Sequence, residues 1–220
     1  MLFFFVLTGI FRFSFIIGLV ERPLALSLLA GYFTNLWDLA IPLGITVELL
    51  WLDVVAMGSI IQPFSGLTFL LLFPICAQLT WTQPGVLLLP LVLSMMAGCL
   101  GSYAELRYRI RCNRLLELVP ATPEDTPCTS PERLCLRGLL GRIVWHFVLY
   151  LGCYAVICFV VSSLLLFGAY PVLTILDWPF LFAIATIGAV LSLRDRRAYA
   201  ACGASLMLIL LAAGLGLVQL

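Results

Sequence analysis

The chain has 220 residues, of which 63% are hydrophobic and only 10% charged, with a mean hydropathy of +1.15 and a formal net charge of +1. A soluble domain of this composition would expose large apolar patches to water, and a near-neutral balance gives no electrostatic footprint for nucleic acid. Both classes are set aside, and the fold class expected is all-α: a polytopic integral membrane protein in a lipid bilayer, with about six to eight transmembrane or re-entrant helical segments.

A span needs about 20 apolar residues at 1.5 Å rise each. By that ruler clear spans run over 2–20, 64–80, 84–101, 143–168, 172–193 and 198–219. The first lacks a basic leader and a small-residue cleavage site and is expected to be retained as a span rather than removed as a signal peptide. The interval 24–62 is apolar but interrupted by Gly31, Asn35, Asp38, Pro42, Gly44, Asp53 and Gly58. Broken or re-entrant helices fit it better than two ordinary spans, and such breaks are tolerated at membrane depth only where they line a cavity or are buried in protein.

All twelve basic residues are arginine. Seven of them (Arg107, Arg109, Arg111, Arg114, Arg133, Arg137, Arg142) fall in 102–142. Residues 103–119 place Tyr103, Leu106, Ile110 and Leu118 along one stripe with arginine elsewhere, which predicts a helix lying at the membrane surface. The Pro- and Thr-rich run "PATPEDTPCTSPE" that follows reads as a linker. Three regions are therefore expected: 1–101, a membrane half carrying discontinuous substrate-site helices; 102–142, a cytoplasmic Arg-rich helix and linker; and 143–220, a second membrane half. Arginine in the short loops, including Arg194, Arg196 and Arg197, places 102–142 in the cytoplasm by the positive-inside rule. No internal repeat is evident. Of the eight cysteines, five lie in apolar segments as small hydrophobes, and Cys112, Cys128 and Cys135 lack C-x-x-C spacing or a nearby histidine. No metal and no cofactor are expected.

The polar residues of the interrupted interval are the candidate site. A carboxylate at bilayer depth costs roughly 2.5–3.5 kcal/mol, so Glu48 and Asp53 must face protein, water or ligand. Glu48 carries the substrate-binding expectation, since a carboxylate accepts strong hydrogen bonds and Trp51, a turn away, can cover an apolar ligand face. Asp53 lies about 140° round an ideal helix from Glu48 and shares its face only if the helix breaks. Gln62 and Asn35 offer amides. Arg22 and Arg12 are candidate ion-pair partners of these acids, and Asp38 a candidate cap for the helix entered through "AIPLG". The bland alternative for Glu48 is an ion pair with Arg12 or Arg22 that holds spans together.

Over Arg22–Pro63 the chain resembles the IIC membrane subunit of the mannose/fructose/sorbose family of the bacterial phosphotransferase system. Arg22, Pro23, Leu24, Gly31, Ile41, Gly44, Thr46, Glu48, Leu52, Gly58 and Pro63 fall on the family pattern without a gap, across about forty residues. It departs at Asn35-Leu36, where the family has Gly-Asp, at Ala40 and Asp53, where it has Gly, and at Phe64, where it has Asp. The resemblance implies a sugar-translocating subunit in a bacterial inner membrane, multi-pass, working with a IID-type membrane subunit in a hetero- and homo-oligomer. Soluble IIA and IIB phosphocarriers would phosphorylate a mannose-class hexose as it is released. The only histidine, His146, has no acid or second histidine near it in sequence and is a poor phosphoryl carrier, so whether this chain counts as an enzyme is left open. The alternatives are a transport-inactive scaffold or sensor of the same family, and an ion-coupled secondary transporter using Glu48 or Asp53.

Overall fold

A computed structural model of the chain describes residues 22–52, 63–116, 131–172 and 176–192. The described residues are all-helical, in six helices: α1 (Pro23–Thr34), α2 (Trp37–Leu50), α3 (Ser65–Gln78), α4 (Pro84–Leu116), α5 (Pro131–Leu166) and α6 (Trp178–Ser192). Two helices, α4 and α5, are long and apolar enough to cross a membrane, while α1, α3 and α6 are shorter apolar helices. The expected spans at 2–20 and 198–219, and residues 117–130 of the linker region, lie outside the described residues.

The helix break expected in the interrupted interval falls at Asn35. Asn35 takes the left-handed conformation (φ 58°) and its N–H closes α1 on the Gly31 carbonyl at 2.8 Å. Asparagine is among the few residues besides glycine that adopt this conformation readily, so the chain turns here and α2 runs back along α1. The contacts fix the antiparallel sense, because Trp37 packs on Gly31 near the tip while Ser27 packs on Gly44 nearer the base. A Cβ at Gly44 would collide with the Ser27 side chain, so this close helix approach depends on the missing side chain. Helix α2 begins at Trp37, before the "AIPLG" motif, and carries Pro42 inside it. Asp38 therefore sits exposed in the first turn, where its charge complements the helix dipole, and makes no side-chain cap; Leu36 is the N-cap.

Helix α3 is the centre of the bundle. Residues 67–73 are buried without interruption and the helix touches α1, α2, α4 and α5, as a helix apolar on every side requires. Its N-terminus is tied to α4 by the Phe64 N–H donating to the Gly98 carbonyl at 3.1 Å. Helix α6 packs on α2.

Two prolines inside helices are each answered by a tyrosine from elsewhere in the chain. Pro74 has no N–H for the carbonyl four residues earlier, and that carbonyl, Leu70, accepts instead from the Tyr150 hydroxyl of α5 at 3.1 Å. Pro90 leaves the Val86 carbonyl in the same position, and the Tyr170 hydroxyl donates to it at 2.6 Å. Where water is scarce these bonds replace the ones proline removes. Tyr150→Phe and Tyr170→Phe are each expected to destabilise the bundle by about 0.6–1.7 kcal/mol. Chemical unfolding in detergent followed by circular dichroism checks this, and Tyr154→Phe, whose hydroxyl meets the exposed Gln78 side chain, is expected to cost less.

The Arg-rich stretch differs from expectation in its arrangement. Residues 103–116 form the last part of α4, in one unbroken 33-residue helix, and α5 begins at Pro131 and runs for 36 residues. The helices are about 50 and 54 Å long, against a hydrocarbon thickness of about 30 Å. The C-terminal part of α4 and the N-terminal part of α5 pair with each other, through Tyr108 donating to the Gly138 carbonyl at 2.7 Å. Neither the 101/102 nor the 142/143 division coincides with a helix end. The pairing runs through Glu105 and Tyr108, while the stripe residues Tyr103, Leu106 and Ile110 remain exposed on another face of α4.

Candidate functional site

Glu48 lies in the last turn of α2, where a negative charge opposes the dipole of its own helix. The fold compensates by bringing the opposite end of α1 to it. The Glu48 Oε1 atom is 3.2 Å from Arg22 Nη1, and Oε2 accepts from the backbone N–H of Leu24 at 3.4 Å. Leu24 carries one of the free N–H groups of the first turn of α1, so Glu48 caps a neighbouring helix while pairing with the residue before it. Pro23 stands at the first position of α1, where its missing N–H costs nothing. The side chain of Glu48 retains 21% exposure and that of Arg22 55%, so this is a half-open pair at the base of the hairpin. One turn away, the buried indole N–H of Trp51 finds no acceptor among the described residues.

Of the other residues expected at this site, Asn35 is at the tip of the hairpin, exposed, about 18 Å along α1 from the Arg22 end. The fold therefore separates Asn35 from Glu48, and its backbone conformation gives it a turn-forming role. Asp38 is at that same tip. Asp53, Gln62 and Arg12 lie outside the described residues. Arg22 is thus the residue the structure joins to Glu48.

A second polar centre went unread in the sequence. Glu105 in α4 is 1% exposed and its Oε1 atom is 3.0 Å from Arg142 Nη2 and 3.1 Å from Arg109 Nε, while Oε2 lies 3.7 Å from His146 Nε2. His146 is as deeply buried, and its Nδ1 is 2.8 Å from the Arg142 carbonyl. A carbonyl only accepts, so Nδ1 carries the hydrogen and Nε2 is the atom facing the carboxylate. Phe64, at the head of α3, packs edge-on against the imidazole. Sequence separation hid the acid beside His146, since Glu105 is 41 positions away. The local signals were Glu105 with Arg109 and Arg142 with His146, each four residues apart on one helix face. Among the described residues no group of three His, Cys, Asp or Glu is placed to hold a metal ion.

Chemically the two centres differ. The buried cluster joins α4 to α5 through one enclosed carboxylate facing two guanidinium groups, whereas the Arg22–Glu48 pair is partly open to its surroundings. Comparison with known proteins adds no further constraint: no family model, curated protein or solved structure matches the chain.

Proposed function

We propose that the chain is the sugar-translocating membrane subunit of a phosphotransferase complex of the mannose class, multi-pass in a bacterial inner membrane. The observation that carries this reading is the Arg22–Glu48 pair at the base of two half-length helices that double back on each other. Helices of 12 and 14 residues are each about 20 Å long, too short to cross the hydrocarbon singly. Placed in a bilayer, such a hairpin carries its ends to an intermediate depth, and a half-exposed carboxylate there needs a polar partner. A sugar hydroxyl can take the acceptor site that the Leu24 N–H holds at 3.4 Å, beside the Arg22 guanidinium. The resemblance over Arg22–Pro63 is what directs this reading to a sugar. In this account α4 and α5 span the bilayer, the remaining apolar segments complete the bundle, and the Arg-rich ends of α4 and α5 project into the cytoplasm toward soluble IIA/IIB-type carriers.

Vesicles holding the chain, a IID-type subunit and soluble phosphocarriers are expected to accumulate phosphorylated hexose when phosphoenolpyruvate is supplied, and to stop when the IIB-type carrier is left out. Uptake that follows a proton or Na⁺ gradient without any carrier would identify an ion-coupled transporter instead. A second reading, a transport-inactive scaffold, draws on one feature: both oxygens of Glu48 already meet groups of the protein itself. Complete absence of sugar phosphorylation with every partner present would select it.

A further inference from the structure

We propose that the outward face of α5 between Leu136 and Val148, with Arg111 of α4, is a binding site for an anionic phospholipid. The proposal rests on the membrane placement of α4 and α5 and is independent of the sugar reading.

This face holds an open groove of 650 Å³ lined by Leu136, Arg137, Leu140, Val144, Trp145 and Val148. Its apolar residues are exposed, Val144 at 59% and Val148 at 60%, and only 17% of the apolar window of this helix is covered by the rest of the protein. The groove runs about 18 Å along the helix, from the arginine-bearing end into the continuous apolar stretch that follows His146. An acyl chain fits that length and that lining.

The charged groups are equally specific. Arg137 belongs to the groove itself and is exposed. Arg111 lies over the Trp145 ring at 5.4 Å from its centroid, and Tyr108 stacks on the same indole at 6.1 Å. The Tyr108 hydroxyl donates to the Gly138 carbonyl, so an aromatic platform bridging both helices holds the Arg111 guanidinium beside the groove. Glu105, on the same helix as Arg111, is turned inward and occupied by Arg109 and Arg142. Two exposed guanidinium groups flank the apolar trough, Arg137 in its first turn and Arg111 over Trp145 about 12 Å further along α5, and together they match a phosphate headgroup beside an acyl chain. A zwitterionic lipid satisfies the trough and gains less from the arginines, because its ammonium group offsets the phosphate charge.

Native mass spectrometry of the delipidated chain, titrated with dioleoylphosphatidylglycerol or dioleoylphosphatidylcholine, tests this. Each interfacial arginine is expected to favour the anionic lipid by about fivefold, so the first adduct forms preferentially with phosphatidylglycerol. Arg111→Gln/Arg137→Gln is expected to abolish the preference, and Val144→Trp, which fills the exposed groove without touching the core, to remove the adduct. Millimolar inorganic phosphate is expected to leave it in place. Equal binding of the two lipids, an adduct unchanged in both variants, or displacement by inorganic phosphate would overturn the proposal. Loss of a copurifying membrane protein in Val144→Trp, with phosphatidylglycerol binding unchanged, would also overturn it and assign the face to that protein.

Discussion

Glu105→Ala is expected to lower the stability of the bundle by about 3 kcal/mol, the largest single effect among the polar residues described. The carboxylate is almost fully enclosed, and removing it leaves the half-buried Arg142 guanidinium, whose Nε is itself buried without an acceptor among the described residues, with no anion to face. The cost sits at the lower end of the range for a broken buried pair because Arg142 keeps 23% exposure and draws partly on water. Arg109→Ala is expected to cost no more than about 1 kcal/mol, since that side chain is 41% exposed and its contact is a screened i,i+4 pair. Glu105→Leu/Arg142→Leu is expected to recover much of the loss, because replacing both ions by apolar groups removes the desolvation penalty along with the attraction. Unfolding of the detergent-solubilised chain, followed by helical signal, separates the three variants. A cost for Glu105→Ala no larger than for Arg109→Ala would show that the cluster does not hold α4 to α5.

The second large effect is functional. Glu48→Gln keeps the size and most of the hydrogen-bonding shape of the side chain but removes the charge. Hydrogen bonds to a charged group contribute roughly 1.5–3 kcal/mol, so sugar affinity is expected to fall by about 10- to 150-fold. The fold should tolerate the change. With Arg22 mostly exposed, the ion pair contributes no more than about 1 kcal/mol, and a glutamine oxygen can still accept from the Leu24 N–H. Loss of binding without loss of structure is the signature of a ligand role. Equal losses of structure and binding would mark Glu48 as the clamp between the ends of α1 and α2.

The sequence was most legible where local chemistry decides. Composition predicted an all-helical chain, and the cluster of Gly, Asn, Asp and Pro predicted a broken interval, which the structure resolves as a hairpin turning at Asn35. The turn-forming backbone of Asn35 was not legible, because a polar side chain in an apolar run reads as a ligand until its conformation is seen to be left-handed. Glu48 with Arg22 was within reach as one of two pairings, but the capping of Leu24 was not, because it depends on the hairpin bringing residues 24 positions apart together. Non-local matches account for the rest. Nothing in the periodicity of 140–160 announces that Tyr150 will serve the carbonyl left by Pro74, or that His146 will meet Glu105. A helix was legible over 103–116, but not its continuity with the span before it, because an amphipathic stripe does not show where its helix begins; Tyr103, Leu106 and Ile110 stay exposed along it.

Equilibrium binding of a mannose-class hexose to the purified chain with its IID-type partner, measured for the native protein and for Glu48→Gln, addresses the transport account most directly. The account predicts at least about tenfold weaker binding in the variant, with helical content and assembly unchanged. Undiminished hexose binding in a correctly assembled Glu48→Gln complex would contradict it.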